Sequence, residues 1–169
     1  MSEDRLPRPR IVSGAQTGAD RAALDVGLEL GLDVGGWVPR GRLAEDGIIP
    51  ARYPNLREAE SADPAQRTEL NVRDSDATLI LSHGALSGGT ALTRRLAEAQ
   101  GKALLEVDLT ALGREEAGRT LARWLGAERP ATLNVAGPRA SKDPKIYAAA
   151  VEVLRAALDW NARPGRLQK

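Results

Sequence analysis

The strongest constraint on this chain is the run from Ile11 to Asp20, Ile-Val-Ser-Gly-Ala-Gln-Thr-Gly-Ala-Asp, in which an apolar strand passes through a glycine-spaced turn directly into a helix. The first amides of a helix have no partner within it, and the helix dipole adds positive potential at the same end, so such a turn is suited to phosphate or another oxyanion. Gly14 and Gly18 allow the backbone a close approach. The spacing is neither the three-glycine dinucleotide fingerprint nor the Walker pattern, which requires a lysine that this turn lacks. Taken alone, the turn fits an anion cradle and a tightly packed strand–helix junction equally well.

The rest of the chain repeats the alternation. Ala23, Val26, Gly27 and Leu30 recur at helical spacing and Gly31 ends that helix, after which Leu32 to Trp37 reads as a second strand. The segment from Val38 to Asn55, carrying Pro39, Pro50 and Pro54, is too long for a simple connector and predicts a cover over a site or an interface. Asp63 and Pro64 open a helix running to about Arg73. Ala77 to Ser82 is a continuous apolar run suited to a strand buried on both faces. Ser87-Gly88-Gly89-Thr90 then forms a second glycine turn, leading into a helix that ends near Gly101. Ala103 to Val107 reads as a strand, Arg114 to Leu125 as a helix and Thr132 to Ala136 as the last strand, with Asp143-Pro144 capping a helix to about Leu158. This order predicts an α/β fold: a mostly parallel sheet of about five strands with helices on both faces, in one domain over residues 10–158. Residues 1–9 read as a flexible leader and 159–169 as a C-terminal tail. Ligands of such sheets bind at the carboxyl ends of the strands, where three loops here carry Gly or Ser: Gly14 to Thr17, His83 to Thr90, and Gly137 to Lys142.

Composition narrows the function. With 169 residues, 42% of them hydrophobic, the chain suits one ordinary globular domain. It has no apolar run of membrane-spanning length and no secretion signal, which predicts a cytoplasmic protein. The absence of cysteine and the single histidine, His83, exclude disulfides, thiolate-held zinc, protein-ligated iron–sulfur clusters and a multi-histidine metal site, so any metal would arrive within a ligand. A net charge of +1 and 3% aromatic residues argue against nucleic-acid and membrane partners.

Several side chains are candidates for ligand contact. The hydroxyls of Thr17, Ser87 and Thr90 either donate to one oxyanion or cap their helices. Arg139, Ser141 and Lys142 follow the last strand and are good oxyanion partners, or form a solvated basic turn capped by Asp143. Trp37 either stacks on a flat ring or anchors the core, with Arg40 or Arg42 placed to meet phosphate. Glu45 and Asp46 become acids or bases only if their surroundings shift them. Asp20, three residues after Thr17, has capping-box spacing and a structural reading. The segment Gln66 to Asp76 is polar on one helical face and reaches toward the site, while His83 follows a strand end without any discernible Ser-His-Asp order.

Together, the runs Ser13 to Asp25, Gly36 to Gly47, Arg67 to Asp76 and Asn134 to Lys142 resemble the molybdenum cofactor carrier family over about Ile11 to Leu158. The resemblance implies a Rossmann-like three-layer sandwich related to the lysine-decarboxylase-like and phosphoribohydrolase proteins, assembled as a homotetramer or homodimer. It also implies a charged pocket for the molybdenum cofactor as bound cargo, a phosphorylated pterin whose dithiolene holds oxo-molybdenum, for delivery to a molybdoenzyme acceptor. The residues expected at the cofactor are Gly14, Ala15, Gln16, Thr17, Gly18, Trp37, Arg40, His83, Ser87, Gly88, Gly89, Thr90, Arg139, Ser141 and Lys142. Ala15 departs from the pattern, standing where the family commonly has a second glycine. The related hydrolases follow their Gly-Gly-x-Gly-Thr turn with a catalytic Glu, whereas Gly89-Thr90 is followed here by Ala91, Leu92 and Thr93. The expectation is therefore binding without catalysis. The alternatives are an enzyme acting on a nucleotide or nucleoside phosphate, with its acid drawn from Glu45, Asp46 or Glu69, and a nucleotide sensor. In the carrier reading Gly88 points into the anion pocket, so Gly88→Val is expected to weaken binding without unfolding the domain.

Overall fold

The apolar runs and helical periodicities resolve into eight strands and five helices among residues 8–159, the residues described by this computed structural model. The leader expected over 1–9 and the tail over 159–169 lie outside the described residues, apart from Arg8, Pro9 and Asp159. In chain order the elements are β1 (Arg10–Val12), α1 (Ala19–Glu29), β2 (Val34–Val38), β3 (Leu43–Ala44), β4 (Gly47–Ile48), β5 (Leu56–Glu58) and α2 (Pro64–Arg73). They continue with β6 (Ala77–Ser82), α3 (Gly88–Ala99), β7 (Ala103–Asp108), α4 (Arg114–Glu128), β8 (Thr132–Ala136) and α5 (Ile146–Leu158).

Six strands form one parallel sheet in the order β5-β2-β1-β8-β6-β7. The last strand pairs with the first, Ile11 opposite Leu133, and with β6, Leu79 opposite Val135. Every residue of β6 is buried, as its continuous apolar run predicts. The sheet exceeds the expected five strands by β5, whose three residues are too short to display a period and whose edge position leaves them largely exposed. The long segment after β2 contains a small hairpin, β3 against β4, with Leu43 opposite Ile48.

Helices α1, α5 and α4 pack side by side on one face and α2 with α3 on the other, giving the three layers of a Rossmann-like sandwich. The core lies between them, where Ile11, Leu24, Leu79, Leu81, Leu121, Leu133, Ile146 and Leu154 are fully buried, each contributing about 1.5–3 kcal/mol through its removal from water. Two helices stop where the sequence indicates. The amides of Gly31 and Leu32 donate back to Leu28 and Gly27, and those of Gly101 and Lys102 to Glu98 and Ala97, closing the last turns of α1 and α3. Asp63 Oδ1 accepts the Ala65 amide at 2.9 Å and starts α2 with Pro64 in its first turn. The start expected for α5 is corrected: the helix begins at Ile146, because Asp143 Oδ1 accepts the Lys145 amide at 3.0 Å in a separate turn ahead of it. Among the described residues no helix is long and apolar enough to cross a membrane.

Candidate ligand-binding cleft

The loops leaving β1, β8 and β6, three neighbouring strands at the centre of the sheet, converge on a cleft of about 220 Å³ at its carboxyl edge. The β1 loop and the start of α1 supply Gly14, Gln16 and Asp20 to its wall. The β6 loop supplies His83 and Ser87, the start of α3 Gly89 and Thr90, the β8 loop Arg139, Lys142 and Asp143, and α2 contributes Arg67, Thr68 and Asn71 from the opposite layer. This is the position at which an open parallel sheet with crossing connections leaves room for a ligand.

The first glycine turn departs from its expected chemistry, because the amides of Ala15, Gln16, Thr17 and Ala19 are already occupied. Ala15 N–H donates to Ser13 Oγ at 3.2 Å, Gln16 N–H to Asp20 Oδ2 at 3.3 Å, Thr17 N–H to Gln16 Oε1 at 3.0 Å and Ala19 N–H to the Pro138 carbonyl at 3.3 Å. Gly18, with φ of +82°, turns the chain against the β8 loop so tightly that a Cβ there would lie 2.3 Å from the Pro138 oxygen. Ala15 is fully buried at a φ of +57°, a left-handed conformation that favours glycine. Thr17 caps nothing. Its hydroxyl donates to Glu45 Oε1 and accepts the Ala140 amide at 3.1 Å.

The second turn is open. The amides of Gly88, Gly89 and Thr90 form the first turn of the 12-residue helix α3, Ser87 at its N-cap makes no side-chain capping bond, and none of these amides has a partner among the described residues. They present the positive end of a helix to the cleft beside Lys142. Gly88 has a φ of +52°, and a Cβ there would lie 2.9 Å from Lys142 Nζ, whereas a Cβ on Gly89 would meet nothing within 4 Å. Backbone strain would confound Gly88→Val, and Gly89, which lines the cleft, is the cleaner position for that test. At the rim His83 Nδ1 lies 2.5 Å from Asp143 Oδ2.

The hairpin β3–β4 ties the loops after β1 and β8 together without entering the cleft. Glu45 accepts the Ser141 amide at 3.1 Å and the Ser141 hydroxyl at 2.5 Å, as well as the Thr17 hydroxyl, and these bonds hold its carboxyl below the usual range. Asp46, paired with Arg21 at 2.5 and 2.8 Å, is lowered by that guanidinium. Glu69 is exposed on α2. None of these three candidate acids lines the cleft. Two other acids do: Asp143, held by His83, and Asp20, 7% exposed, which burial pushes up from 3.8 to about 6 against the opposing effects of Arg67, the Gln16 amide, Arg139 and Arg21. Arg67 is itself buried over Gly14, donating to the Gly14 carbonyl at 3.0 Å, and burial lowers its pKa.

Of the residues the sequence marks as ligand-binding, Gly14, Gln16, His83, Ser87, Gly89, Thr90, Arg139 and Lys142 are brought together around the cleft. Ala15, Thr17, Gly18, Gly88 and Ser141 stand behind or beside its wall as structural parts of the loops. Trp37 and Arg40 are elsewhere. Trp37 Nε1–H donates to Asp74 Oδ2 at 2.8 Å with Arg57 over its ring at 5.2 Å, and Arg40 is exposed with its amide bonded to Ser61. The polar face expected over Gln66 to Asp76 reaches the cleft through Arg67, Thr68 and Asn71, whereas Asp20 has no sequence signature as a site residue. Asp20 has the spacing of a cap, and only the approach of α2 from the other face shows that it borders a cavity.

Residues 11–158 match the model of the circularly permutated YpsA SLOG family. The chain belongs to that family. Consistent with a SLOG-family sandwich, a crystal structure from Syntrophus aciditrophicus SB, named "Putative molybdenum carrier protein", superposes with a TM-score of 0.89 at 46% identity, over 94% of this chain and 99% of that one. The expected resemblance and the Rossmann-like fold therefore both hold. No curated protein matches this SLOG-family chain.

Proposed function

We propose that this protein binds the molybdenum cofactor as cargo, without transforming it, for protection and delivery to an acceptor enzyme. The observation that carries this reading is the open first turn of α3: the unpartnered amides of Gly88, Gly89 and Thr90 face a cleft that also holds Lys142 and Arg139. These groups suit a terminal phosphate and oxo ligands, since amides and a guanidinium in a partly desolvated cleft bind oxyanions more strongly than in open water. A cleft of about 220 Å³ falls below the roughly 300–1,000 Å³ of sites that enclose drug-sized ligands, so it suits one end of such a molecule with the remainder at the mouth. The name of the similar crystal structure supports molybdenum-related cargo. Among the described residues no group of His, Asp or Glu side chains is arranged to hold a metal ion, so in this reading molybdenum arrives within the pterin.

A second reading, hydrolysis of a nucleoside phosphate, is favoured by one observation: Asp20 lies in the cleft with a pKa of about 6, within the working range of a general acid or base. One experiment separates the two. Purified protein is titrated calorimetrically with isolated molybdenum cofactor, molybdate, inorganic phosphate and a panel of nucleotides, and each mixture is assayed for free base. Micromolar cofactor binding without base release is the expected result. Turnover of any nucleotide that Asp20→Asn abolishes overturns the carrier reading in favour of the second.

A further inference from the structure

Asp20 has a free acceptor where its neighbours have none. Its Oδ2 takes the Gln16 amide at 3.3 Å, while Oδ1 makes no hydrogen bond to any described residue and is not sealed inside the protein. The Ser13 hydroxyl is directed at the backbone carbonyl of Asp20, at 2.8 Å, and not at its carboxylate. Arg67 acts on Asp20 electrostatically, but its Nη1 and Nε are engaged with the Gly14 carbonyl and the Thr68 hydroxyl. The amide side chains on the same wall are also occupied. Gln16 Oε1 accepts from Thr17 and Glu45, and Asn71 bonds both the amide and the carbonyl of Trp37 at 2.8 and 3.0 Å. An ionised carboxylate offers about four acceptor sites, and a buried one with most of them empty is disfavoured unless a ligand fills them.

The partner cradle comes from the other side. Helix α1 brings Asp20 from one face of the sheet and α3 brings the Gly88 to Thr90 amides from the opposite face, so the cleft has an acceptor wall and a donor wall. We propose that Asp20 reads the amidine edge of a 2-amino-4-oxo heterocycle, accepting its ring N–H and exocyclic amino group, while the phosphate arm of the same molecule takes the Ser87 to Thr90 turn. This rests on the reading of that turn as a phosphate cradle. Pterin and guanine share this edge. At neutral pH Asp20 is ionised yet poorly solvated, the state in which two ligand N–H donors gain most.

The test compares paired phosphorylated probes by calorimetry. 6-Hydroxymethylpterin monophosphate is set against its lumazine counterpart, which lacks the 2-amino group, and GMP against IMP, which lacks it likewise. The wild-type protein is expected to prefer the amino-bearing member by about tenfold or more in at least one pair, and the pair in which this occurs identifies the source of the heterocycle. Asp20→Asn, checked for folding by its melting curve, is expected to bring that ratio close to one. Equal affinities within both pairs for the wild type, which need no variant, overturn the proposal, and so does a ratio that survives Asp20→Asn. If phosphorylated probes bind without discrimination, this inference fails alone. If neither they nor inorganic phosphate bind, the phosphate cradle fails with it.

Discussion

The two glycine turns of this protein share a plan, strand to glycine turn to helix, and end in opposite states. In the turn after β1 the amides of Ala15, Gln16, Thr17 and Ala19 are met from within: Ser13, Gln16 and Asp20 provide acceptors at short range, and Pro138 provides another across the fold. In the turn after β6 the residues are Ser87, Gly88, Gly89 and Thr90, whose few side chains leave the amides free, and Thr93 turns its hydroxyl back to the Gly89 carbonyl. A glycine-rich strand–helix turn is thus an anion cradle only when its own side chains cannot fill it. Where they can, glycine serves close packing.

The comparison is most exposed at Gly18. Placing valine there combines a φ of +82° with a contact of 2.3 Å to backbone, and a loss of at least ~3 kcal/mol is expected in urea unfolding. A folded, near-wild-type Gly18→Val protein would show that the first turn is not held closed as described. Next is Asp20, whose pKa in the fold lies above the unfolded value, so the folded state binds more protons between about pH 4 and 6 and stability falls as pH rises through that window. Asp20→Asn keeps an acceptor for Gln16 and removes the buried charge. It is expected to gain up to about 3 kcal/mol at pH 7.5, with the gain fading toward pH 4. A pH-independent difference would show that the buried charge is not its cause. In the open turn, Gly89→Val is expected to change the urea midpoint little and to weaken binding of phosphorylated ligands about tenfold or more, roughly 1.4 kcal/mol; unchanged affinity would remove α3 from the site. The smallest effect is expected for Glu45→Gln, which loosens the tie between Thr17 and Ser141 at the surface. A drop in melting temperature of roughly a degree or two is expected, disappearing as the pH is lowered and Glu45 protonates in the wild type.

Much of the fold could be read along the chain because its signals are local. The run Ala77 to Ser82 is apolar throughout, Asp63-Pro64 caps as expected, and Gly31 and Gly101 end their helices by a rule that involves only adjacent residues. The strand Leu56–Glu58 and the hairpin at Leu43 to Ile48 were too short to show a period. Within the candidate site, the loops at His83 to Thr90 and at Arg139 to Lys142 were legible from glycine, hydroxyl and cationic residues at strand ends. Trp37 was not: an aromatic residue beside arginines reads the same whether it stacks on a ligand or lies under Arg57. Asp20 was hidden for the reverse reason, its spacing fitting a cap so well that nothing local marked it as a cleft residue.

The sequence by itself determined the α/β alternation, the sheet edge at which the Gly- and Ser-bearing loops gather, and the absence of thiol or multi-histidine chemistry, since each follows from residue type and short-range period. Only the tertiary structure decided which turn stays open and that Asp20 borders the cleft. Both depend on contacts between residues far apart in the chain, Gly18 against Pro138 and Asp20 beside Arg67, and a polar group's availability to a ligand is settled by what packing leaves unpaired around it.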